Sequence, residues 1–198
     1  MDLGLVLGAD LSVLPLITDA VRMRYLHPLK GIPRTCACSQ PNSIDHALSC
    51  PKGGYIYLRH NQIRDLEVHW LSTVCKDVQA EPKLLPLNGE QFQNRTAVVA
   101  NDARADINNA RGVWSGMDKT FFDVRVFHPG AASNTGDIKA VYKRHESEKK
   151  MAYDERILEV ERATFTPLIF STTGGMGREA VTYHKRLASL ISSKRGTS

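Results

Sequence analysis

The stretch RADINNARGVWSGMDKTFFDVRV, residues 104–126, decides the fold that we expect for this chain. Residues 105–110 and 121–127 are predicted to form two β-strands, and the Gly-bearing segment between them turns the chain back. The second strand is largely apolar, yet it contains Asp123. A carboxylate in such a strand is costly to bury unless it is paired or bound to a metal. Because Asp106 lies early in the first strand, the two aspartates can meet across the strand pair.

This acidic pair is a candidate site for a divalent metal ion. Carboxylates that converge from different elements supply the hard oxygen ligands that Mg²⁺ and Mn²⁺ prefer. The alternatives are that Asp106 is an ordinary strand-end or turn carboxylate and that Asp123 forms an ion pair with Arg125 or another cation.

The elements predicted around these strands indicate an α/β chain. A helix is predicted before these strands, because apolar residues recur there at spacings of three and four. Asn61 is the predicted cap of this helix. These residues are Ile63, Leu66, Trp70, Leu71 and Val74. Cys75, near this stripe, is expected to be a core residue.

The remaining elements complete the prediction. They are an exposed strand over 77–87, loops over 88–101 and 128–136, a charged helix from 137 or 138 to about 160, an apolar strand over 164–172, a helix over 178–193 and a frayed tail. Their order predicts an α/β sandwich, a small mixed sheet flanked by helices.

A lysine on the charged helix adds to the candidate site. The predicted apolar stripe of this helix is Ile138, Tyr142, Tyr153, Ile157 and Val160. Lys149 falls on the same face, where it could reach a metal-bound water or a scissile phosphate. The alternative, and the commoner arrangement, is a lysine stem that lies along the edge of the core.

Four residues near the N-terminus have the spacing of a zinc knuckle. Cys36-x-Cys38 is followed after seven residues by His46 and after three more by Cys50. Three thiols and one imidazole suit a tetrahedral zinc ion, which would supply the folding free energy of so small a unit. A turn of helix over 44–48 would present His46 and Cys50 on one side. The alternative is a set of buried cysteines in a reduced protein.

Composition is compatible with a nucleic-acid partner and is not diagnostic of one. The 198 residues carry a net charge of +5, and 42% are hydrophobic. The apolar N-terminus is interrupted by acids and lacks a basic leader, so we interpret it as a packing helix. We expect a helical linker over 1–30, the knuckle over 31–54 and the main domain over 55–198.

In this order, the motifs resemble the C-terminal part of non-LTR retrotransposon polyproteins. There, a reverse transcriptase is followed by a Cys-Cys-His-Cys knuckle and a restriction-like endonuclease of the PD-(D/E)XK superfamily. The likeness covers roughly residues 25–196. The basic residue–Pro–Asp motif appears as Arg104-Ala105-Asp106, and the second acid as Asp123. Arg125 stands where the superfamily has its lysine, and Lys149 matches a known variation in which the lysine lies on the next helix.

The resemblance implies a metal-dependent endonuclease that nicks target DNA by phosphodiester hydrolysis. Asp106 and Asp123, helped by the Val124 carbonyl, would hold Mg²⁺ or Mn²⁺, and Lys149 and Arg125 would belong to the catalytic site. Zinc would be structural. The implied partners are DNA, element RNA and an upstream reverse transcriptase, and the implied location is the nucleus.

Further residues are candidates for supporting roles. Arg59, His60, Arg64 and Arg104 could contact nucleic acid, and the alternative for the three on the helix is that they are surface cations. Glu67 is either a further metal ligand or a solvated helix carboxylate.

Two other classes of function remain open from the sequence. A catalytically degenerate DNA- or RNA-binding module is favoured by Arg125, because an arginine cannot act as a base. A zinc-stabilised protein-interaction domain explains the knuckle but gives no reason for Asp123 in an apolar strand.

Overall fold

A computed structural model describes residues 22, 27, 33–53, 55–82, 84, 105–108, 110–114 and 118–196. Apart from residues 22 and 27, the helices predicted over 1–30 lie outside these residues, as do the loop over 88–101 and Arg104, and the division into three segments stays a prediction.

The described chain has an α/β architecture with one small mixed sheet, as the order of elements predicts. The strands are β1 (Gln79–Ala80), β2 (Ile107–Asn108), β3 (Thr120–Phe127) and β4 (Thr164–Ser171), adjacent in that order. The first three pair antiparallel, and β4 pairs with β3 in parallel over all eight residues. Pro167 is tolerated in β4 because this strand ends the described sheet, where a missing N–H interrupts no ladder.

The part of the chain that the structure describes has four α-helices with defined bounds, of which the last three pack on the sheet. They are α1 (Ile44–Ser49), α2 (Tyr55–Val74), α3 (Ile138–Glu155) and α4 (Arg178–Gly196). A 3₁₀ turn over Pro51–Gly53 joins α1 to α2, and a π-helical turn over Arg156–Val160 extends α3. Ser43 and Asp137 cap α1 and α3 with side-chain oxygens that accept backbone N–H bonds. None of the helices in the described ranges is both long and apolar enough to cross a membrane.

The alternation of side chains along β3 assigns the helices to the two faces of the sheet. Phe122 packs against Tyr183 of α4, with ring centroids 4.9 Å apart. Phe127 packs against Tyr142 of α3 at the same distance. Residues of odd number on β3 therefore point to α3, and those of even number point to α2 and α4. Asp123 consequently lies on the α3 face.

Four elements have bounds that differ from the prediction. Helix α2 begins at Tyr55, so Asn61 lies inside it and is not its cap. Among the described residues of 77–87 and 105–110, the predicted strands have two paired residues each. The last helix continues to Gly196, and the end of α4 is held because the Lys194 ammonium donates to the Thr73 carbonyl at 2.5 Å.

The apolar stripe that predicts α2 is not the face that the helix buries. Leu66 and Trp70 stay exposed, whereas Leu71 is fully buried beside the polar residues Arg64 and Glu67. Similarly, Tyr153 of α3 and Ile157 of the following π-helical turn are buried, but Ile138 is 42% exposed. Cys75 lies in the core, as expected.

A buried carboxylate joins α2 to α4. Glu67 is only 2% exposed, and it accepts hydrogen bonds from the Tyr183 hydroxyl and the His184 Nε2, each at 2.9 Å. The interpretation of Glu67 as a solvated carboxylate is therefore wrong. Burial and the adjacent charge of Glu67 raise the pKa of Tyr183. The phenol thus stays a neutral donor to Glu67.

The free energy of unfolding is expected to fall as pH rises through the range in which His184 loses its proton. Burial alone lowers the pKa of His184, but the hydrogen bond and charge of Glu67 raise it overall. The stabilisation is therefore complete below the unfolded-state pKa of about 6.5 and is lost as pH rises through the folded-state value. Urea unfolding at about pH 6 and about pH 9 measures the difference.

The matched control is Glu67→Gln. It should lower the free energy of unfolding by about 1.5–3 kcal/mol at the acidic pH, because a charge-assisted hydrogen bond is lost. It should also flatten the pH dependence. Equal slopes in the wild type and the variant would contradict the assignment.

Candidate metal centres

The four knuckle residues converge. The Sγ atoms of Cys36 and Cys50 lie 3.8 Å apart, and Cys38 Sγ lies 3.1 Å from His46 Nε2. All four ligand atoms are within 4.8 Å of one another, and the three cysteines are free of disulfides. A tetrahedral ion with Zn–S bonds of about 2.3 Å separates two sulfur atoms by about 3.8 Å. The donor set and its spacing therefore fit a metal ion such as zinc.

Local backbone structure brings these ligands together. A tight turn, with Ser39 in the left-handed region (φ 69°), presents the first two cysteines. Its backbone closes through bonds from Cys36 N to Gln40 O and from Ser39 N to Cys36 O. Helix α1 then sets His46 and Cys50 one turn apart, and it confirms the helical turn predicted over 44–48. The Gln40 backbone lowers the pKa of Cys38, but burial and the two neighbouring thiols raise it overall.

The knuckle is held against the main body of the chain by α2. Both terminal nitrogens of Arg59 lie 3.4 Å from the Leu48 carbonyl oxygen of α1. Arg59 is half-buried and bonded to the knuckle, and its contact with nucleic acid stays a prediction. Asp45 adds a second link, because its carboxylate lies 3.1 Å from His128 Nε2.

The second candidate centre lies at the junction of β2, β3 and α2. Asp106, directly before β2, accepts a hydrogen bond from Val124 N at 2.6 Å. The same oxygen, Oδ2, lies 3.1 Å from His60 Nε2, and this nitrogen lies 3.0 Å from the Val124 carbonyl oxygen. The bond to Asp106 raises the pKa of His60 more than burial lowers it. Asp106 is therefore held at the central strand rather than at a solvated turn.

Asp123 meets the lysine predicted on the long helix. Its carboxylate is 3% exposed, and Lys149 Nζ lies 2.5 Å from Oδ2. The ammonium also lies 5.6 Å from the centre of the Tyr153 ring. Burial is the main cause that raises the pKa of Asp123; the charge of Asp106 raises it further, and Lys149 and Tyr153 oppose the shift. The ammonium of Lys149 is thus turned to the buried acid.

Two arginines of the predicted site have other partners. Arg125 pairs with Glu148 of α3 at 2.5 Å, although it shares a strand face with Asp123. Arg64 is 9% exposed and forms ion pairs with Asp65 and Glu81. The interpretation of Arg64 as a surface cation is therefore wrong, and its contact with nucleic acid stays a prediction.

The two candidate centres differ in kind. In the described ranges, the knuckle is the one group of three or more His, Cys, Asp or Glu side chains whose ligand atoms converge. Glu67 does not join the second centre, because both of its oxygens bond to α4. The atoms that meet there are side-chain atoms of Asp106 and His60 and the main-chain oxygen of Val124.

Sequence periodicity could have indicated His60, because it lies on the same helical face as Glu67 and Leu71.

Comparison with known proteins identifies no family for this chain. No protein-family model matches this sequence, and a search of the curated proteins finds no relative of it. Interpretation therefore depends on the geometry of the two centres.

Metal analysis of the purified chain should give about one equivalent of zinc, bound by the knuckle. Cys38→Ser should abolish this binding, because it removes one of three thiolates from a tetrahedral set. Cys75→Ser is the matched control, since Cys75 lies in the core apart from the knuckle. Unchanged zinc content in Cys38→Ser would contradict the knuckle assignment.

Proposed function

We propose that this chain is a restriction-like, metal-dependent DNA endonuclease domain with an attached zinc knuckle. The observation that carries the proposal is the buried Asp123 of β3, with Lys149 Nζ 2.5 Å from its carboxylate and Asp106 beside the same strand. A buried acid, a second acid and a lysine are the three groups that this chemistry needs. They come from three separate elements of the chain.

The fold is consistent with this proposal. A four-stranded mixed sheet with helices on both faces has one acid directly before β2, the other within the neighbouring β3, and the lysine on the following helix. This is the order that the resemblance to restriction-like endonucleases implies. The presence of Arg125 at the usual lysine position of β3 agrees with the proposal, because the lysine beside Asp123 comes from α3.

The chemistry of the candidate donor atoms suits a divalent ion. Two carboxylates and the Val124 carbonyl are hard oxygen ligands, the kind that Mg²⁺ and Mn²⁺ prefer. Burial and the charge of Asp106 raise the pKa of Asp123. A divalent ion bound beside the two acids would oppose both effects. Such an ion, when bound, neutralises charge on the scissile phosphate and acidifies a water molecule.

The residues of the chain position and stabilise the reacting groups. Asp106 and Asp123 would hold the cation, and Asp123 also fixes the ammonium of Lys149. Lys149 is 23% exposed in its side chain, so its ammonium is within reach of a phosphate bound at the surface. A fixed ammonium can orient the attacking water or stabilise the charge that develops on the leaving oxygen. Tyr153 limits the directions in which this ammonium can turn.

The biological setting follows from the same proposal. The chain would nick target DNA to start integration of a retrotransposon, downstream of a reverse transcriptase and near element RNA. Its net charge of +5 favours contact with a nucleic acid. The location would be the nucleus, where such DNA lies.

The second candidate function is a DNA- or RNA-binding module that has lost catalysis. Arg125 is the observation that favours it, since the ordinary position of the superfamily lysine holds an arginine paired with Glu148. Such a module would keep the sheet and the knuckle but would not cut.

Nicking of supercoiled plasmid with Mg²⁺ or Mn²⁺ tests the proposal. Asp123→Asn and Lys149→Met should each lower the rate by at least ~100-fold, because charge stabilisation at the reacting phosphate is lost. Lys150→Met is the matched control. Lys150 is the next residue of α3 and pairs with Glu179, and its loss should leave the rate nearly unchanged.

The outcome separates the two functions. If wild type and Asp123→Asn nick the plasmid at the same rate, the nuclease assignment is wrong. If neither nicks but both retain DNA binding, the degenerate binding module is correct. Circular dichroism of each variant verifies that the protein whose nicking rate is measured is folded.

A further inference from the structure

We propose that a groove between α3 and the N-terminus of α4 binds the phosphate backbone of double-stranded DNA. This inference rests on the proposed function, because it assigns the surface that would hold the substrate. The surface differs from the nucleic-acid contacts predicted from the sequence, and Arg59 and Arg64 of that prediction already have partners within the chain.

The α3–α4 groove has a volume of about 840 Å³ and is bounded by the two helices. On α3, its lining residues recur at spacings of three and four from Lys139 to Lys150, so they form one side of the helix. At 1.5 Å per residue, this side is about 16 Å long. The opposite wall is formed by residues 176–179 and Thr182.

Two glycines allow the start of α4 to approach α3 closely enough to form this groove. A Cβ atom at Gly175 would collide with the Tyr142 hydroxyl, and one at Gly177 would collide with the Glu146 carboxylate. Only a residue without a side chain therefore fits at these positions. As a result, Arg178, the first residue of α4, lines the same groove as the lysines of α3.

Both acids of the groove have partners in the chain. Glu179 pairs with Lys150, whose Nζ lies 2.7 Å from its Oε1. Glu146 Oε1 accepts a hydrogen bond from Glu179 N at 3.0 Å. This bond places the Glu146 carboxylate at the N-terminus of α4, where the partial positive charge of a helix stabilises an acid. Neither carboxylate is therefore directed to the remaining cations of the groove.

The remaining cations of the groove are exposed, and no acidic side chain in the described ranges forms an ion pair with them. They are Lys139, Lys143 and Arg178. Lys139 and Lys143 lie one turn apart, about 6 Å along the axis of α3. Cations that the chain itself does not neutralise attract a polyanion, and phosphates that replace their counterions with lysine or arginine supply much of the affinity for DNA.

The lining of the groove favours a duplex over a single strand. Proteins that bind single strands stack the bases on aromatic rings. Among the described lining residues Tyr142 is the one aromatic residue, and its ring packs against Phe127 with centroids 4.9 Å apart. The groove therefore offers contacts to phosphates and no free ring for an unstacked base. A row of cations on a rigid helix suits the regular backbone of a duplex.

The groove adjoins the proposed catalytic lysine. Lys149 directs its ammonium to Asp123, whereas Lys150, the next residue of α3, lines the groove. Neighbouring residues of a helix point about 100° apart, so two sides of α3 serve the two purposes. DNA in the groove would lie along the same helix that presents Lys149.

Binding of a labelled DNA duplex to the zinc-loaded full chain, without added Mg²⁺ or Mn²⁺, tests this inference apart from cleavage. Fluorescence anisotropy gives Kd over a range of salt concentrations. The slope of log affinity against log salt falls by about 0.9 for each phosphate contact that is lost. Lys143→Ala should remove about one such contact. The triple variant with alanine at Lys139, Lys143 and Arg178 should remove about three and lower the affinity at least ~10-fold.

The matched control is Lys76→Ala, which removes the same charge elsewhere. Lys76 is exposed and lies next to β1, at the border of the described sheet opposite β4. Its loss should leave the affinity and the salt slope nearly unchanged. Equal melting temperatures and equal zinc contents verify that the variants are folded.

The outcomes separate this inference from the proposed function. Unchanged affinity and slope in the triple variant, with a wild type that binds the duplex, overturn the groove and leave the nuclease proposal intact. Absence of duplex binding by the wild type also overturns the groove, and plasmid nicking then decides the nuclease by itself. Tighter binding of single-stranded DNA or RNA through the same three residues overturns the assignment to a duplex. Groove-dependent duplex binding by a chain that nicks no plasmid supports the groove and overturns the nuclease.

Discussion

Asp123 places a carboxylate, 3% exposed, in the middle of a strand that is paired on both sides. Removing such a charge from water costs several kcal/mol, so a cation must meet it. Helix α3 supplies that cation through Lys149, and the eight-residue parallel pairing of β3 with β4 fixes where the carboxylate lies. Apolar contacts of Val141 and Tyr153 hold α3 against the sheet, and they bring Lys149 to the one charge that this face of the described sheet buries.

The parts of this arrangement that local sequence specifies could be predicted. Ligand spacing indicates the knuckle, alternation and apolar content indicate β3, and the position of Lys149 on the inward stripe indicates its direction. The partners of Glu67, Arg64 and His60 could not be predicted, because they depend on how α2 approaches α4 and β3 in space. The apolar residues of α2 were a poor guide to its buried face, since polar side chains with tertiary partners occupy much of that face.

Helix α2 connects the two candidate centres through adjacent residues. Arg59 bonds to the Leu48 carbonyl of the knuckle, and His60 contacts Asp106 and Val124. Neighbouring residues of a helix point about 100° apart, so one turn of α2 serves both sites. A knuckle ordered by a metal ion would therefore steady the part of α2 that carries His60 and its contacts with Asp106 and Val124.

Strand β4 limits how far the sheet can grow. Pro167 removes a donor from its first half, and the segment around Met176 covers its second half through a bridge to Phe170 and a bond from Gly177 N to Ile169 O. An edge strand with a row of free N–H and C=O groups would invite a strand from another molecule. By occupying or deleting these groups, the chain closes this border of the sheet to intermolecular pairing, which protects a protein with so apolar a central strand from aggregation.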